Sequence, residues 1–314
     1  MIIRREVRCS VLLRRMAPFR RRAMILSLSA MVLPFVSGCT STPLASSNSR
    51  VETTTLVTTT TVALPRDLPT TTVVQVTTTT SSTTTVLPSF EQEPVAVVPL
   101  IEPLIAVGRA DGEETVRLQE RLVELGFWVQ SVDGDFGLTT RQAVMAAQKY
   151  FGLPATSSVD DVTALALSSA AARPQARADQ GTLVEIDKSK QLAFFVIDGV
   201  TEWVLNVSTG SEIPYSEPNQ NDPETIEEGD SITDPGLFKV DRERAEGWWD
   251  GDLGSIYRPK YFNGGIAVHG SQSIPNYPAS HGCVRVSTPA MDWIWDEELM
   301  PMGSPVWVHG SIPG

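Results

Sequence analysis

Histidine and cysteine are scarce: the 314-residue chain has three of each. No two cysteines form a C-x-x-C pair, which takes away the commonest framework for a structural zinc site. Long apolar runs are missing too. The stretch Ala23 to Val36 is too short to span a bilayer comfortably. Basic charge is also in short supply, at a formal net charge of −12. Residues 1–38 hold eight arginines and one glutamate, and without them 17 basic and 36 acidic side chains remain, a net −19. A surface field of that sign excludes nucleic acid as a partner, and disfavours an anionic bilayer surface.

What is present at the N-terminus reads as an export signal over residues 1–38. An arginine-rich segment ends at Arg20-Arg21-Arg22, the apolar run follows, and Val36-Ser37-Gly38 closes it immediately before Cys39. The close resembles a bacterial lipobox, which implies cleavage before Cys39, lipidation of its sulfur, and an extracytoplasmic lipoprotein held to the membrane. Cys9 then leaves with the signal, and lipid blocks Cys39. Cys283 is the thiol that remains, and one thiol makes no intramolecular disulfide. In an exported, oxidation-exposed chain a lone cysteine points to a reactive group.

Residues 39–107 are dominated by Thr and Ser, with scattered Val and Pro and few charges. No helical period and no turn chemistry appear, so the segment reads as a disordered stalk. Extended like polyproline at ~3.1 Å per residue it reaches roughly 200 Å, and as a flexible coil about 50 Å. Either length lifts a domain off a membrane into a surrounding wall.

Residues 108–170 change character. Asp111 with Glu114 is spaced as an N-cap and capping-box acid. Val116, Leu118, Leu122, Val123 and Leu125 then give a helical apolar face, stopped by Gly126. A second helix is expected from Thr139 or Thr140, burying Ala143, Val144 and Ala147. A third follows Ser158-Val159-Asp160-Asp161 and carries Val162, Leu165 and Leu167. The string Leu118-Gln119-x-x-Leu122-x-x-Leu125-Gly126-Phe127, continued by Val132-Asp133-Gly134-x-Phe136-Gly137-x-x-Thr140-x-x-Ala143-Val144, resembles the peptidoglycan-binding domain type 1 family. Residues 171–180 form an Ala/Arg/Pro linker.

From residue 181 to 310 the period becomes two. Leu183 to Asp187, Leu192 to Val196 and Trp203 to Val207 read as strands, with Asp198-Gly199 as a hairpin turn. Phe238 to Val240, Ile266 to Val268 and Val306 to Val308 add others. Thr288-Pro289 opens a short helix as N-cap and N1. The chain is therefore expected to be multidomain, a three-helix domain followed by a mainly-β sandwich or partly closed barrel. Residues 212–234 form an acidic, Pro/Asn-rich insert without a period, expected to be a mobile loop. Trp248-Trp249 suit core packing better than a groove wall, and Tyr261-Phe262 fit either role.

Two of the three histidines fall beside Cys283, in Val268-His269-Gly270-Ser271 and Ser280-His281-Gly282-Cys283-Val284-Arg285. A thiol becomes a nucleophile when a base takes its proton and positive charge lowers its pKa. His269 follows a strand, with Gly270 turning the chain and Ser271 or the Gly270 carbonyl available to orient the ring. His281 is a rival base, since residues 281 and 283 share a face if the segment is extended. Amides at Gly282 and Cys283 can form an oxyanion hole, and Arg285 can bind a substrate carboxylate.

Ile266-x-Val268-His269-Gly270, followed by Ser280-His281-Gly282-Cys283-Val284-Arg285-Val286, resembles the signature of L,D-transpeptidases with a YkuD-type catalytic domain, as do Val207-Ser208-Thr209-Gly210 and Gly236-x-Phe238. The resemblance implies Cys283 as nucleophile, His269 as base and His281 orienting the site. It implies peptidoglycan stem peptides as partner, a thioester formed with loss of D-alanine, and a 3→3 cross-link. No cofactor, no metal and a monomer are expected. A departure lies at Thr233-Asp234-Pro235-Gly236, where the family commonly has Thr-Pro-x-Gly. The competing readings are a zinc site from His269, His281, Cys283 and His309, or an idle wall-anchoring lipoprotein.

Overall fold

The computed structural model describes residues 93–313. The expected signal, Cys39 and the Thr/Ser-rich segment through residue 92 lie outside the described residues. Among the described residues no helix is long and apolar enough to cross a membrane.

Three helices come first: α1 (Glu113–Glu124), α2 (Leu138–Tyr150) and α3 (Asp161–Ser169). On α1, Leu118 and Leu122 lie one turn apart on a single face and are fully buried. Asp111 does not cap this helix. Gly112 holds the N-cap position, and the Asp111 carboxylate accepts the Phe136 amide at 2.6 Å instead. It thereby ties the Asp133–Phe136 turn to the start of α1. Gln119 holds the same turn from the other side, donating to Asp133 and Thr140 and accepting from the amides of Asp133 and Gly134. Asp160 does cap α3, accepting from Thr163 N–H at 2.8 Å. On this helix Leu167 is buried, but Val162 and Leu165 are exposed, against expectation. The inward face is Thr163, Ala164 and Leu167, and positions 162 and 165 point away from it.

The remaining elements are β1 (Leu183–Asp187), β2 (Leu192–Ile197), β3 (Val200–Asn206), β4 (Tyr215–Pro218), β5 (Ile226–Gly229), β6 (Gly236–Lys239), β7 (Arg242–Glu243), β8 (Trp248–Gly251), β9 (Gly254–Asn263), β10 (Ile266–Ser271), β11 (Val284–Ser287), α4 (Thr288–Asp296) and β12 (Pro305–His309). One five-stranded sheet runs β3-β2-β1-β12-β6. A second runs β11-β10-β9-β7, with β8 also on β9, and β4 pairs with β5 alone. Both larger sheets are open. The partly closed barrel considered from the sequence is not formed, because β6 and β7 end their sheets without meeting a closing partner.

Alternation along β2 explains the layering. Ala193 and Phe195 enter a core shared with Val268, Val284 and Val286 of the second sheet and with Met291 and Ile294 of α4. Leu192, Phe194 and Val196 enter a different core, built with Leu118, Leu122, Val144 and Leu167 of the helices. β2 is thus buried on both faces, which is why Leu-Ala-Phe-Phe-Val reads as an unbroken apolar run. Helices cover one face of the first sheet and the second sheet covers the other. The helical part also extends the edge of β3: Val204 N–H donates to Gly126 O at 2.8 Å. Trp128 from this segment packs against Trp293 of α4, ring centroids 5.1 Å apart.

The helix after β11 begins one residue away from expectation. Ser287 is the N-cap, its hydroxyl accepting from Ala290 N–H at 3.3 Å, and Thr288 and Pro289 already belong to α4. The insert at 212–234 is no shapeless loop, since β4 and β5 pair as an antiparallel hairpin in register from Tyr215–Gly229 to Pro218–Ile226. Its strands carry no apolar alternation because neither face enters a core, so the sequence gives no period to detect.

Candidate active site

Parallel strands β10 and β11 pair Val268 with Val284 and His269 with Arg285. Side chains alternate along each strand, so the even positions, Val268, Val284 and Val286, face the core. Odd positions His269, Cys283 and Arg285 face the opposite way and line one cleft of about 930 Å³. His269 lies inside β10, which runs on through Gly270 and Ser271 rather than ending at Val268. Cys283 and His269 are diagonal neighbours across this pair, and the Cys283 thiol donates to the Gly265 carbonyl at 3.8 Å.

His269 is buried, and its Nδ1 lies 2.8 Å from the Gly270 carbonyl. A carbonyl accepts only, so Nδ1 carries the proton and Nε2 is left as the acceptor. Burial pushes this imidazole down to about 4, opposed by the Gly270 hydrogen bond and assisted by the Arg285 charge. Burial pushes the Cys283 thiol up, while a hydrogen bond from the Ala267 amide and the Arg285 charge pull it down less strongly. From the sequence, positive charge beside Cys283 is expected to lower the thiol. The desolvation of the buried His269 ring and the partial burial of Cys283 both favour neutral forms over an ion pair.

The turn that delivers Cys283 is specified by its neighbours. Gly282 has φ +135°, and a Cβ there would lie 2.6 Å from Ile266 Cδ1 and 2.8 Å from the Ile232 carbonyl. Only glycine fits. Its amide donates to Ser280 Oγ at 3.1 Å, and that hydroxyl donates on to the Cys283 carbonyl. Thr233 Oγ1 donates to Gly282 O at 2.6 Å and accepts from Gly210 N–H at 2.9 Å. Thr233 is fully buried and was not singled out from the sequence, although the departure around Thr233-Asp234-Pro235-Gly236 marks the segment.

His281 also lines the cleft, but it is engaged elsewhere. Its Nε2 lies 3.4 Å from Glu217 Oε1, and its ring stands edge-on to Tyr215 at 4.7 Å. Both partners come from the β4–β5 hairpin, which is thereby part of the site. Arg285 lines the cleft as well, where its charge favours the ionised form of Cys283 and opposes protonation of His269. The Ser271 hydroxyl bonds locally to Ser273, and Gly270 supplies the carbonyl that orients His269.

The tryptophan pair corrects the core-packing expectation. Trp248 and Trp249 are 44% and 42% exposed on β8 and line the cleft. Trp248 packs on Tyr257 at 5.2 Å, and Arg244 stacks 3.5 Å over Trp249. Tyr261 and Phe262 divide as a strand requires, Tyr261 to the cleft and Phe262 to the core. His309 lies in β12 and bonds Glu185 at 2.9 Å, away from the cleft lining. Among the described residues no three His, Cys, Asp or Glu side chains are grouped to hold a metal ion.

A helical domain packed against two open sheets, with a cysteine and a histidine on adjacent strands of one cleft, defines the class, and comparison with known proteins gives the family. Residues 181–308 match the family YkuD, L,D-transpeptidase catalytic domain, and residues 111–167 match a peptidoglycan binding domain family. The crystal structure of an L,D-transpeptidase from Xylanimonas cellulosilytica is 40% identical, with 68% of this chain and 99% of that chain covered and a TM-score of 0.58. The chain belongs to the L,D-transpeptidase family. An L,D-transpeptidase structure from Stackebrandtia nassauensis, 23% identical over 69% of this chain and all of that one, has a TM-score of 0.36 and adds nothing to the argument. The N-acetylmuramoyl-L-alanine amidase CwlM of Mycobacterium tuberculosis is 48% identical over 44 residues. That match spans 14% of this chain and only 11% of the amidase.

Proposed function

We propose that the protein forms 3→3 cross-links in peptidoglycan through a thioester on Cys283. The observation that carries this reading is the placement of Cys283 and His269 on one face of paired strands, with the Nε2 of His269 left as acceptor. The Cys283 proton passes to His269 Nε2 as sulfur attacks the carbonyl of the L-centre in a stem tetrapeptide. The imidazolium then gives that proton to the departing D-alanine amine, leaving a thioester. An amine from a neighbouring stem loses a proton to the same ring, attacks the thioester and forms the new amide. The thiol is thereby regenerated.

We assign the oxyanion donor to the Cys283 amide, because the Gly282 amide is already bonded to Ser280. Arg285 is suited to a stem carboxylate, presenting a planar fork to the cleft. His281, held by Glu217 and Tyr215, orients the cleft wall rather than serving as base. The helical domain binds the wall polymer, and lipid on Cys39 anchors the chain outside the membrane. The direct test is incubation of purified protein with disaccharide-tetrapeptide. Free D-alanine together with a 3→3 dimer supports the reading, and neither product forming contradicts it. Mass analysis of a tryptic N-terminal peptide tests the anchor: diacylglycerol on Cys39 is expected, and an unmodified thiol there contradicts it.

A further inference from the structure

Between His269 and Cys283 the chain makes a loop, residues 272–279, that leads directly into the turn carrying Cys283. The helical domain holds this loop directly. Gln142, on α2, donates from Nε2 to the Ile274 carbonyl at 3.2 Å. The same side chain accepts from Asn206 Nδ2 at 2.7 Å through its Oε1. Asn206 is the last residue of β3, and the segment that follows it is the loop's other clamp. Ser208 Oγ donates to Tyr277 O at 2.8 Å, and Thr209 O accepts from the amides of Ala279 and Ser280 at 3.0 Å. Ser208 also exchanges backbone hydrogen bonds with Arg285. A second tether from the helical part is Asn276 Nδ2 to Ala155 O at 2.9 Å. One glutamine therefore touches both pieces of chain that seat Cys283: the loop before it and the strand end that grips it.

We propose that Gln142 is a positioning residue for the reaction at Cys283, and that the helical domain is a working part of the active site as well as a wall-binding module. The proposal rests on the reading of Cys283 as nucleophile. Its amide has the two functions the junction needs, an acceptor for Asn206 and a donor for Ile274, and no shorter or singly functional side chain supplies both. Without the Gln142 donor the loop keeps its ties to Ser208 and Thr209 and the single Asn276 tether to the helical part, so the turn into Cys283 is less firmly held. A shift of about an ångström in reacting groups is enough to lower turnover roughly a hundredfold.

The test uses the full chain carrying Gln142→Glu, which keeps the size and the acceptor but loses the donor, and Asn276→Ala, which cuts the second tether. Tyr150→Phe is the control. Tyr150 lies at the same domain junction, packs on Phe194 and accepts from Gln175 N–H, but touches no residue of the loop. Two readouts are taken: kcat and KM on a soluble tetrapeptide muropeptide, and the rate of Cys283 alkylation by iodoacetamide. For Gln142→Glu, kcat falls about tenfold or more with KM within about twofold, and alkylation slows or changes its pH profile. Tyr150→Phe leaves both near wild type, and sedimentation with insoluble peptidoglycan is unchanged in all three variants. Wild-type kcat and alkylation in Gln142→Glu overturn the proposal. Equal losses in Tyr150→Phe also overturn it, because the effect is then general loosening of the junction. Alkylation is read without any peptide substrate, so this result stands apart from failure of the transpeptidase reading, which shows as an inactive wild type.

Discussion

Cys283 lies two residues before the strand partner of His269, so the thiol and the imidazole share the cleft face of β10 and β11 as diagonal neighbours. Val268, Val284 and Val286 on the opposite face of these strands are aliphatic and buried. The proposed reactive pair is thus carried by paired strands, through the backbone ladder, rather than by a free loop.

The two histidines are separable by mutation. His269 has its Nδ1 proton fixed on Gly270 O, whereas His281 is turned toward Glu217. His269→Ala is expected to slow acylation of Cys283 by about 10²–10⁴-fold, the usual worth of a general base. His281→Ala is expected to cost far less. Stopped-flow acylation by a β-lactam measures both, and the reverse order contradicts the assignment.

The pH profile separates a neutral pair from an ion pair. Burial raises the thiol and lowers the imidazole to about 4, both of which favour a resting site of thiol plus neutral ring. Iodoacetamide alkylation of the apo protein should keep rising through pH 8 to 9. A plateau already reached by pH 6 would mean a preformed thiolate–imidazolium pair.

The same burial links stability to acid. An unfolded histidine binds its proton below 6.5, but His269 in the fold resists it until about 4. The unfolded chain therefore binds more protons in that window. Stability contributed by this group falls as pH drops from 6.5 to 4, by about 3 kcal/mol in total. His269→Phe should flatten that part of the Tm-against-pH curve, and an unchanged slope would contradict the burial argument.

Lys149 gives the corresponding effect on the alkaline side. Burial pushes this α2 amine down to about 7, and its hydrogen-bond partners are the carbonyls of Gln191 and Val207 at 3.3 Å. Between about 7 and 10.5 the unfolded chain is protonated at this site and the folded chain is not, so stability rises with pH across that range. Lys149→Met is expected to raise Tm at pH 7 and to remove the rise, as read by calorimetry.

At the turn, Gly282→Ala brings a methyl against the Ile266 side chain and the Ile232 carbonyl in a left-handed backbone. Thr233→Val removes the hydroxyl joining Gly210 to Gly282 without changing shape, and leaves a buried acceptor and donor unpaired. Each unpaired group costs about 1–3 kcal/mol. Circular dichroism melts of Thr233→Val should show that loss together with a drop in Cys283 acylation, and a wild-type Tm would contradict the role given to Thr233.

How much of this was legible in the sequence depended on the period of each element. The strands from Leu183 to Val207 and the apolar face of α1 were readable because their side chains enter cores on a regular beat. That His269 and Cys283 would share a cleft was legible from their scarcity and their close sequence spacing. The β4–β5 hairpin was not, because its faces are solvated and its pairing leaves no apolar pattern. Trp248 and Trp249 misled for a related reason: large apolar rings usually mark a core, but here they line a cleft beside Arg244. Local spacing marks Asp111 as a cap, but its carboxylate bonds Phe136, 25 residues away, instead. The loop tethers to Gln142 and Ala155 join residues more than 120 apart, beyond any local signal.

The most direct check of the central claim is an intact-mass measurement after incubation with a carbapenem, wild type beside Cys283→Ala. A single covalent adduct on wild type and none on the variant is the expected result. An adduct that persists on the variant, or a wild type that stays unmodified, contradicts the account.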